Sequence, residues 1–324
     1  MRGPTASIST ELGATALITT VGCCILIGLL FVRPALRETT LVAPWTWSVL
    51  CVVAIIGCEI ALALIPSPSL SPARLAAIRY MAHATMFCPL MAVLGAKRPQ
   101  NREWSFIVFS WWVVLALPAF PTLLFPAGKF QIGWLWWLLL TGSIVMTVVN
   151  YGPTKFWLSS LLIAAAQCTV VPGMVDFGDR PGASAVPAVN SQVALVLIGL
   201  ALAVAFVRAR FRPRTTQAPI DRVWIDFRDA FGAIWAFRAA DRINAVATAT
   251  GWDIALGWRG FRSTSSSEAG GFEPRPEVAP VLEQSIRNLL RRFVTTAWLD
   301  ARLSTDLEHQ NHETSETDAV DQSA

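Results

Sequence analysis

The chain has 324 residues, 54% of them hydrophobic and only 15% charged, with a formal net charge of +4. Soluble domains carry about 25% charged residues, so this composition excludes an ordinary soluble protein and points to the membrane. The positive excess comes from 23 arginines against three lysines, set at the ends of apolar runs and through the last third rather than in one stripe, which argues against nucleic-acid binding.

A helix needs roughly 20 apolar residues to cross the hydrocarbon core. Runs of that kind fall at 14–32, 46–65, 75–96, 105–125, 132–151, 156–174 and 193–210. No A-x-A cleavage signal follows the first run, which reads as a retained helix rather than a signal peptide. The fourth contains LPAFPTLLFP, with Pro118, Pro121 and Pro126 crowding one end, and the fifth opens on an interfacial anchor of Trp134, Trp136 and Trp137. Only GPTK separates the fifth run from the sixth, so the count is about seven, with six as the alternative.

Arginine and lysine between the runs set the orientation. Arg33, Arg37, Lys97, Arg98, Arg102, Lys155, Arg208, Arg210, Arg212 and Arg214 share one side, against Arg2, Arg74, Lys129 and Arg180 on the other, a ratio of ten to four. The expected fold is an all-α polytopic membrane protein with about seven transmembrane helices over residues 1–210. A small, mainly helical cytoplasmic domain with one strand follows over 211–303, and then a disordered acidic tail over 304–324. In the cell membrane the N-terminus lies outside and the C-terminus in the cytoplasm.

Charged and polar residues inside the apolar runs single out one place. Glu59 lies near the outer end of the second run, while Arg79 and His83 share a face of the third, four residues apart. Ser71 followed by Pro72 is a helix-start signal, and the proline-rich connection makes the two runs antiparallel neighbours. The three side chains therefore fall at similar depth, where a Glu59–Arg79 pair costs far less than either charge alone. Gln167 and Pro172 in the sixth run, like Pro118 and Pro121 in the fourth, add polar or helix-breaking groups at the same outer level. Such a level is where membrane proteins build ligand cavities; the plainer reading is a clasp between two helices.

In the last third, Trp224, Phe227, Phe231, Ile234 and Trp235 form a helical stripe that Arg238 and Arg242 continue. It packs an aromatic core, or it lies as a face against the membrane or a partner. WDIALGWRG alternates with period two, a strand that needs a hairpin return, another subunit or another protein beside it. Residues 259–278 read as a flexible linker. An amphipathic helix follows Pro280 with Leu282, Ile286, Leu289, Leu290 and Phe293 on its apolar side, and Thr296 caps a further turn.

Signatures of known chemistry are missing. The chain has no glycine-rich phosphate loop before a lysine, no HExxH and no GxSxG. All six cysteines lie in apolar runs without a CxxC, and His309 and His312 in the tail make a poor metal site. No catalytic residue, metal or cofactor is assigned. The expected function is a non-enzymatic membrane component (an anchor, sensor or accessory subunit) whose cytoplasmic domain engages a partner, with the lipid bilayer as its other contact. A small-solute permease using the outer polar cluster is the alternative, and an intramembrane enzyme acting on lipid a more remote one.

Overall fold

The computed structural model describes residues 4–64, 70–97, 101–125, 130–170, 188–210, 218–264 and 277–303. The chain forms two compact units. The first comprises Met1–Arg37, Leu41–Ala96 and Gln100–Arg212, and the second Glu38–Thr40, Lys97–Pro99 and Pro213–Ala324.

The first unit consists of α1 (Pro4–Leu36), α2 (Val42–Leu64), α3 (Pro72–Ala84), α4 (Cys88–Leu94), α5 (Asn101–Ala116), α6 (Phe120–Leu124), α7 (Trp134–Tyr151), α8 (Trp157–Val170) and α9 (Ala188–Arg210). Among the described residues six stretches are long and apolar enough to cross a bilayer: Thr15–Leu36, Val42–Leu64, Pro72–Leu94, Glu103–Leu124, Trp134–Tyr151 and Asn190–Arg210. The chain is thus a multi-pass, all-helical membrane protein with one small sheet. The predicted sixth run appears as a shorter apolar helix, Trp157–Thr169, about 20 Å long, and the rest of that run, with Pro172, lies outside the described residues. Helix α2 starts at Val42, earlier than the predicted 46, because Pro44 is tolerated in a first turn whose amides have no intrahelical acceptor.

Two of the crossing stretches are composite. A 3-10 turn at Thr85–Phe87 joins α3 to α4, and another at Leu117–Ala119 joins α5 to α6. Proline explains both, since Pro89 and Pro118 bring no N–H to the ladder. The carbonyls left over are taken by side chains of neighbouring helices. Val114 O, which Pro118 cannot serve, accepts from Trp136 Nε1 at 2.9 Å. Met86 O, three residues before Pro89, accepts from Gln167 Nε2 at 3.2 Å. Met81 O accepts from Trp112 Nε1 at 3.2 Å, Leu115 O from the Tyr80 hydroxyl at 2.6 Å, and Met91 O from Trp104 Nε1 at 2.8 Å. With no water in the bilayer core, every such carbonyl needs a donor from protein, and tryptophan supplies one on an apolar body.

The core of this unit gathers Ile18, Ile25, Val52, Ile55, Tyr80, Leu115, Leu140 and Leu195. Small residues let the helices approach: a Cβ on Gly22 would stand 2.1 Å from Ile56 Cδ1, and one on Gly28 would stand 2.7 Å from Leu202 Cδ2. Outward positions such as Phe31, Phe106, Leu138, Leu200 and Phe206 are exposed and apolar, as a lipid-facing surface requires.

The second unit contains α10 (Pro219–Phe231), α11 (Ala233–Thr250), β1 (Ile254–Gly257), β2 (Gly260–Ser263), α12 (Ala279–Leu290) and α13 (Thr296–Leu303). Gly232, at φ 81° and ψ −179°, separates α10 from α11 in a conformation essentially restricted to glycine. The predicted single stripe over 224–242 is therefore two helices. The expectation of one strand with a linker opening at 259 is also corrected at its start, while residues 265–276 of that linker lie outside the described residues. Residues 260–263 return as β2, antiparallel to β1, with Ile254 opposite Ser263 and Gly257 opposite Gly260 around a Trp258–Arg259 turn. No alternation marks this short, glycine-led strand; its register is set by the turn and by side chains that cover both edges. Asn244 grips β1, its Oδ1 accepting from Leu256 N at 2.7 Å and its Nδ2 donating to Leu256 O at 3.1 Å. Asp221 Oδ1 accepts from Phe261 N of β2 at 2.7 Å. The hairpin return thus supplies the partner, and both edges are engaged at these positions.

Helix α12 buries Leu282, Ile286 and Leu290. The cap of α13 is Thr295 rather than Thr296, its Oγ1 accepting from Trp298 N at 3.2 Å. The stretch Glu38–Thr40 also belongs to this unit. Thr39 bridges Val294 antiparallel, Thr40 N donates to Phe293 O at 2.8 Å, and Thr295 N donates to Glu38 O at 2.8 Å.

Candidate polar site in the membrane unit

Glu59 stands five residues before the end of α2 and Arg79 seven residues into α3, depths of about 8 and 10 Å from one end of the antiparallel pair. The start of α3 follows the expected logic: Pro72 occupies the first turn and Ser71 Oγ accepts from Arg74 N at 3.3 Å. From these frames Arg79 meets Glu59 with two parallel bonds, Nε to Oε1 and Nη2 to Oε2, both at 3.0 Å. This fork-to-fork geometry is the strong form of an ion pair. Glu59 is 4% exposed, so the pair holds two opposite charges away from solvent.

Ser191 completes the arrangement. It sits in the first turn of α9 and donates from Oγ to Glu59 Oε1 at 3.0 Å. Sequence reasoning passes over it as the polar approach to the last span. The available signal is depth: Ser191 lies three residues from the start of α9, at the end of the membrane the topology assigns to Glu59 and Arg79.

His83, 1% exposed, does not reach Glu59. Its Nδ1 lies 2.7 Å from Arg79 O, one turn back on its own helix. A carbonyl only accepts, so Nδ1 carries a proton, and in the neutral ring Nε2 presents a lone pair. Nε2 is buried and has no hydrogen-bond partner among the described residues. Gln167, 2% exposed, is on α8 and serves Met86 O rather than the ion pair. Its orientation is fixed in the same way, leaving Oε1 buried without a partner. The structure thus joins Glu59 to Arg79, hangs His83 on the Arg79 backbone, and places Gln167 at the break between α3 and α4.

Chemically, three donors already engage the Glu59 carboxylate, two on Oε1 and one on Oε2. Two of the singled-out residues each keep a buried acceptor without a hydrogen-bond partner among the described residues, His83 Nε2 and Gln167 Oε1. Among the described residues no group of three or more His, Cys, Asp or Glu gathers as a metal site; His309 and His312 lie outside the described residues.

In the second unit the aromatic stripe is interior. Trp224, Phe227, Phe231 and Trp235 are buried; Phe227 stacks on Phe231 at 4.9 Å, and Phe227, Phe231 and Trp235 each meet Phe293 edge-on at 4.9–5.3 Å. Their periodicity is that of a core, and those rings are not open to a partner. Arg238 and Arg242 are exposed, with the Arg238 guanidinium 5.2 Å above Trp235. Burial raises the Asp221 carboxyl above its usual range, partly offset by the Phe261 N–H. Comparison with known protein families, curated proteins and solved structures finds no match to this chain.

Proposed function

We propose that this protein is a non-enzymatic component of the cell membrane, an anchor, sensor or accessory subunit, whose C-terminal unit works in the cytoplasm against a partner. The observation that carries this reading is the closure of the polar cluster: Glu59 spends both oxygens on Arg79 and Ser191. A clasp of this kind ties together three helices, α2, α3 and α9, and commits the carboxylate to structural bonds. Exposed Arg238 and Arg242 remain the candidate contact face for that partner.

The orientation has two supports. One is the ten-to-four arginine and lysine count. The other is parity. Glu38–Thr40, between the first two spans, belongs to the same compact unit as the C-terminal segment, which favours an odd number of crossings between the N-terminus and the second unit. Six long helices give an even number, and α8 as a short seventh span restores the parity.

A permease is the second reading, favoured by the two buried acceptors without partners, His83 Nε2 and Gln167 Oε1. Purification from native membrane, with identification of what copurifies, tests the first reading. Stoichiometric recovery of a protein partner that Arg238→Glu/Arg242→Glu releases supports it. Solute uptake by proteoliposomes that His83→Ala abolishes, with no copurifying partner, replaces it with the permease.

A further inference from the structure

Within the second unit, α11 buries Trp235, Ala236, Ala239, Ile243 and Ala247 and leaves an exposed arc that holds Phe237, Arg238, Asp241, Arg242 and Ala245. Arg238 and Arg242, four residues apart, share one face of it. Neither is in an ion pair among the described residues, and Arg238 lies over the Trp235 ring at 5.2 Å. At the edge of the arc Phe237, 57% exposed, packs on Trp258 of the hairpin turn with ring centroids 5.4 Å apart. Exposed Arg259 follows Trp258 in that turn. Asp241 is the one acid on the arc, and most of the unit's other described carboxylates are committed elsewhere. Asp226 holds Arg302, Asp229 holds Arg228, and Glu283 and Asp300 hold Arg287. Asp221 accepts from Phe261 N, and Asp253 accepts from the hydroxyls of Ser263 and Thr264.

The chain itself supplies the opposite charge. Beyond Leu303, the last described residue, the sequence continues for 21 residues, 304–324. They include Asp306, Glu308, Glu313, Glu316, Asp318 and Asp321, and no lysine or arginine. Leu303 belongs to the same compact unit as α11. A segment of that length reaches at most about 70 Å, more than twice the roughly 27 Å of α11 from end to end. Tethering holds such a segment at an effective concentration on the order of millimolar, an advantage that a separate acidic molecule lacks. Its two larger aliphatic residues, Leu307 and Val320, match the apolar edge formed by Phe237 and Trp258.

We propose that the acidic segment 304–324 docks on the exposed face of α11 in its own unit, with its carboxylates on Arg238 and Arg242. The inference goes beyond the function proposed above and stands whether or not a protein partner uses the same face. Any acidic partner that does so must first displace the segment, which makes the segment a built-in competitor for that face.

The test adds a dye-labelled peptide of residues 304–324 to the full chain in nanodiscs of phosphatidylcholine, whose headgroups carry no net charge, and reads binding by anisotropy. One chain keeps its six acids, and in the other all six are replaced by the matching amides. The amide chain is expected to bind the peptide, and the native chain to bind it roughly tenfold more weakly because its own segment holds the face. About 0.5 M salt should remove most of the binding, because it shortens the screening length to a few ångström. In the amide chain, Arg238→Gln/Arg242→Gln should weaken binding roughly fivefold or more, since each exposed ion pair contributes up to about fivefold. Arg238→Lys/Arg242→Lys should keep most of the affinity, and Arg291→Gln/Arg292→Gln should leave it unchanged. Equal binding by the native and amide chains overturns the proposal, because the face is then open to another occupant. Binding by neither chain overturns it as well. So does a loss in the Arg291→Gln/Arg292→Gln variant with none in Arg238→Gln/Arg242→Gln, which would place the segment elsewhere. Loss in the lysine variant overturns charge as the basis of docking.

Discussion

Glu59 shows how a single residue decides the character of the membrane unit. Arg79 balances its charge, Ser191 adds a third hydrogen bond, and removing one partner of the ion pair leaves the other charge buried. Glu59→Gln and Arg79→Leu should each lower stability by about 3 kcal/mol, read as thermal midpoints of the detergent-solubilised protein. Ser191→Ala should cost about 1 kcal/mol. The Glu59→Gln/Arg79→Leu double variant should regain more than half of the loss, and strictly additive losses would show that the pair contributes nothing jointly. A second residue-scale test concerns Asp221. Burial raises its carboxyl in the folded state, so its favourable contribution is present below the unfolded value of about 4 and is lost as pH rises through the folded one. Melting of the second unit should weaken across that window. Asp221→Asn, which keeps the acceptor for Phe261 N, should flatten the dependence, and a slope unchanged in Asp221→Asn would place its origin elsewhere.

At the scale of elements, the two proline-broken helices are stable because indoles and amides from their neighbours replace the missing backbone donors. Trp136→Phe keeps most of the apolar body and removes the donor to Val114 O, so it should cost about 1 kcal/mol. In a Pro118→Ala background the alanine N–H is free to serve the same carbonyl, and Trp136→Phe should then cost close to nothing. A double-mutant cycle in detergent measures this coupling, expected at about 1 kcal/mol; zero coupling would mean that the indole bond is incidental. The break in the fourth span is legible in the sequence, since Pro118 and Pro121 stand where the helix tightens, whereas the turn at Thr85–Phe87 falls inside a run read as continuous. The remedies are legible in neither case. No local pattern connects Trp136 with Val114, Gln167 with Met86 or Asn244 with Leu256, because each bond joins elements that meet only when the chain has folded.

For the whole molecule, the decisive quantity is the number of crossings. Cysteines placed one at a time in 178–190 should react with a membrane-impermeant reagent from outside the cell, and a reporter fused after Arg214 should signal cytoplasm. A reporter after Arg214 that signals outside, with 178–190 shielded from the reagent, would leave six crossings and make α8 a helix that does not traverse the bilayer. The same experiment bears on Glu38–Thr40: a cysteine at Thr39 should be shielded from the outside reagent in intact cells. Its labelling from outside would separate the first connection from the C-terminal unit and contradict the parity on which seven crossings rest.

By itself the sequence determined the membrane class, the places of six long apolar helices, the start of α3 at Ser71–Pro72 and the nearness of Glu59 to Arg79. These follow from composition, helical periodicity and connection length, which are properties of neighbours along the chain. Tertiary structure alone decided that Ser191 closes the ion pair and that His83 turns to the Arg79 backbone. It alone decided that the aromatic stripe breaks at Gly232 and closes on Phe293, that the hairpin returns through a strand without alternation, and that Glu38–Thr40 joins the C-terminal unit. The reason is common to all of them. A buried donor, acceptor or aromatic face must find a partner, and which partner it finds depends on elements distant in sequence that packing alone brings together.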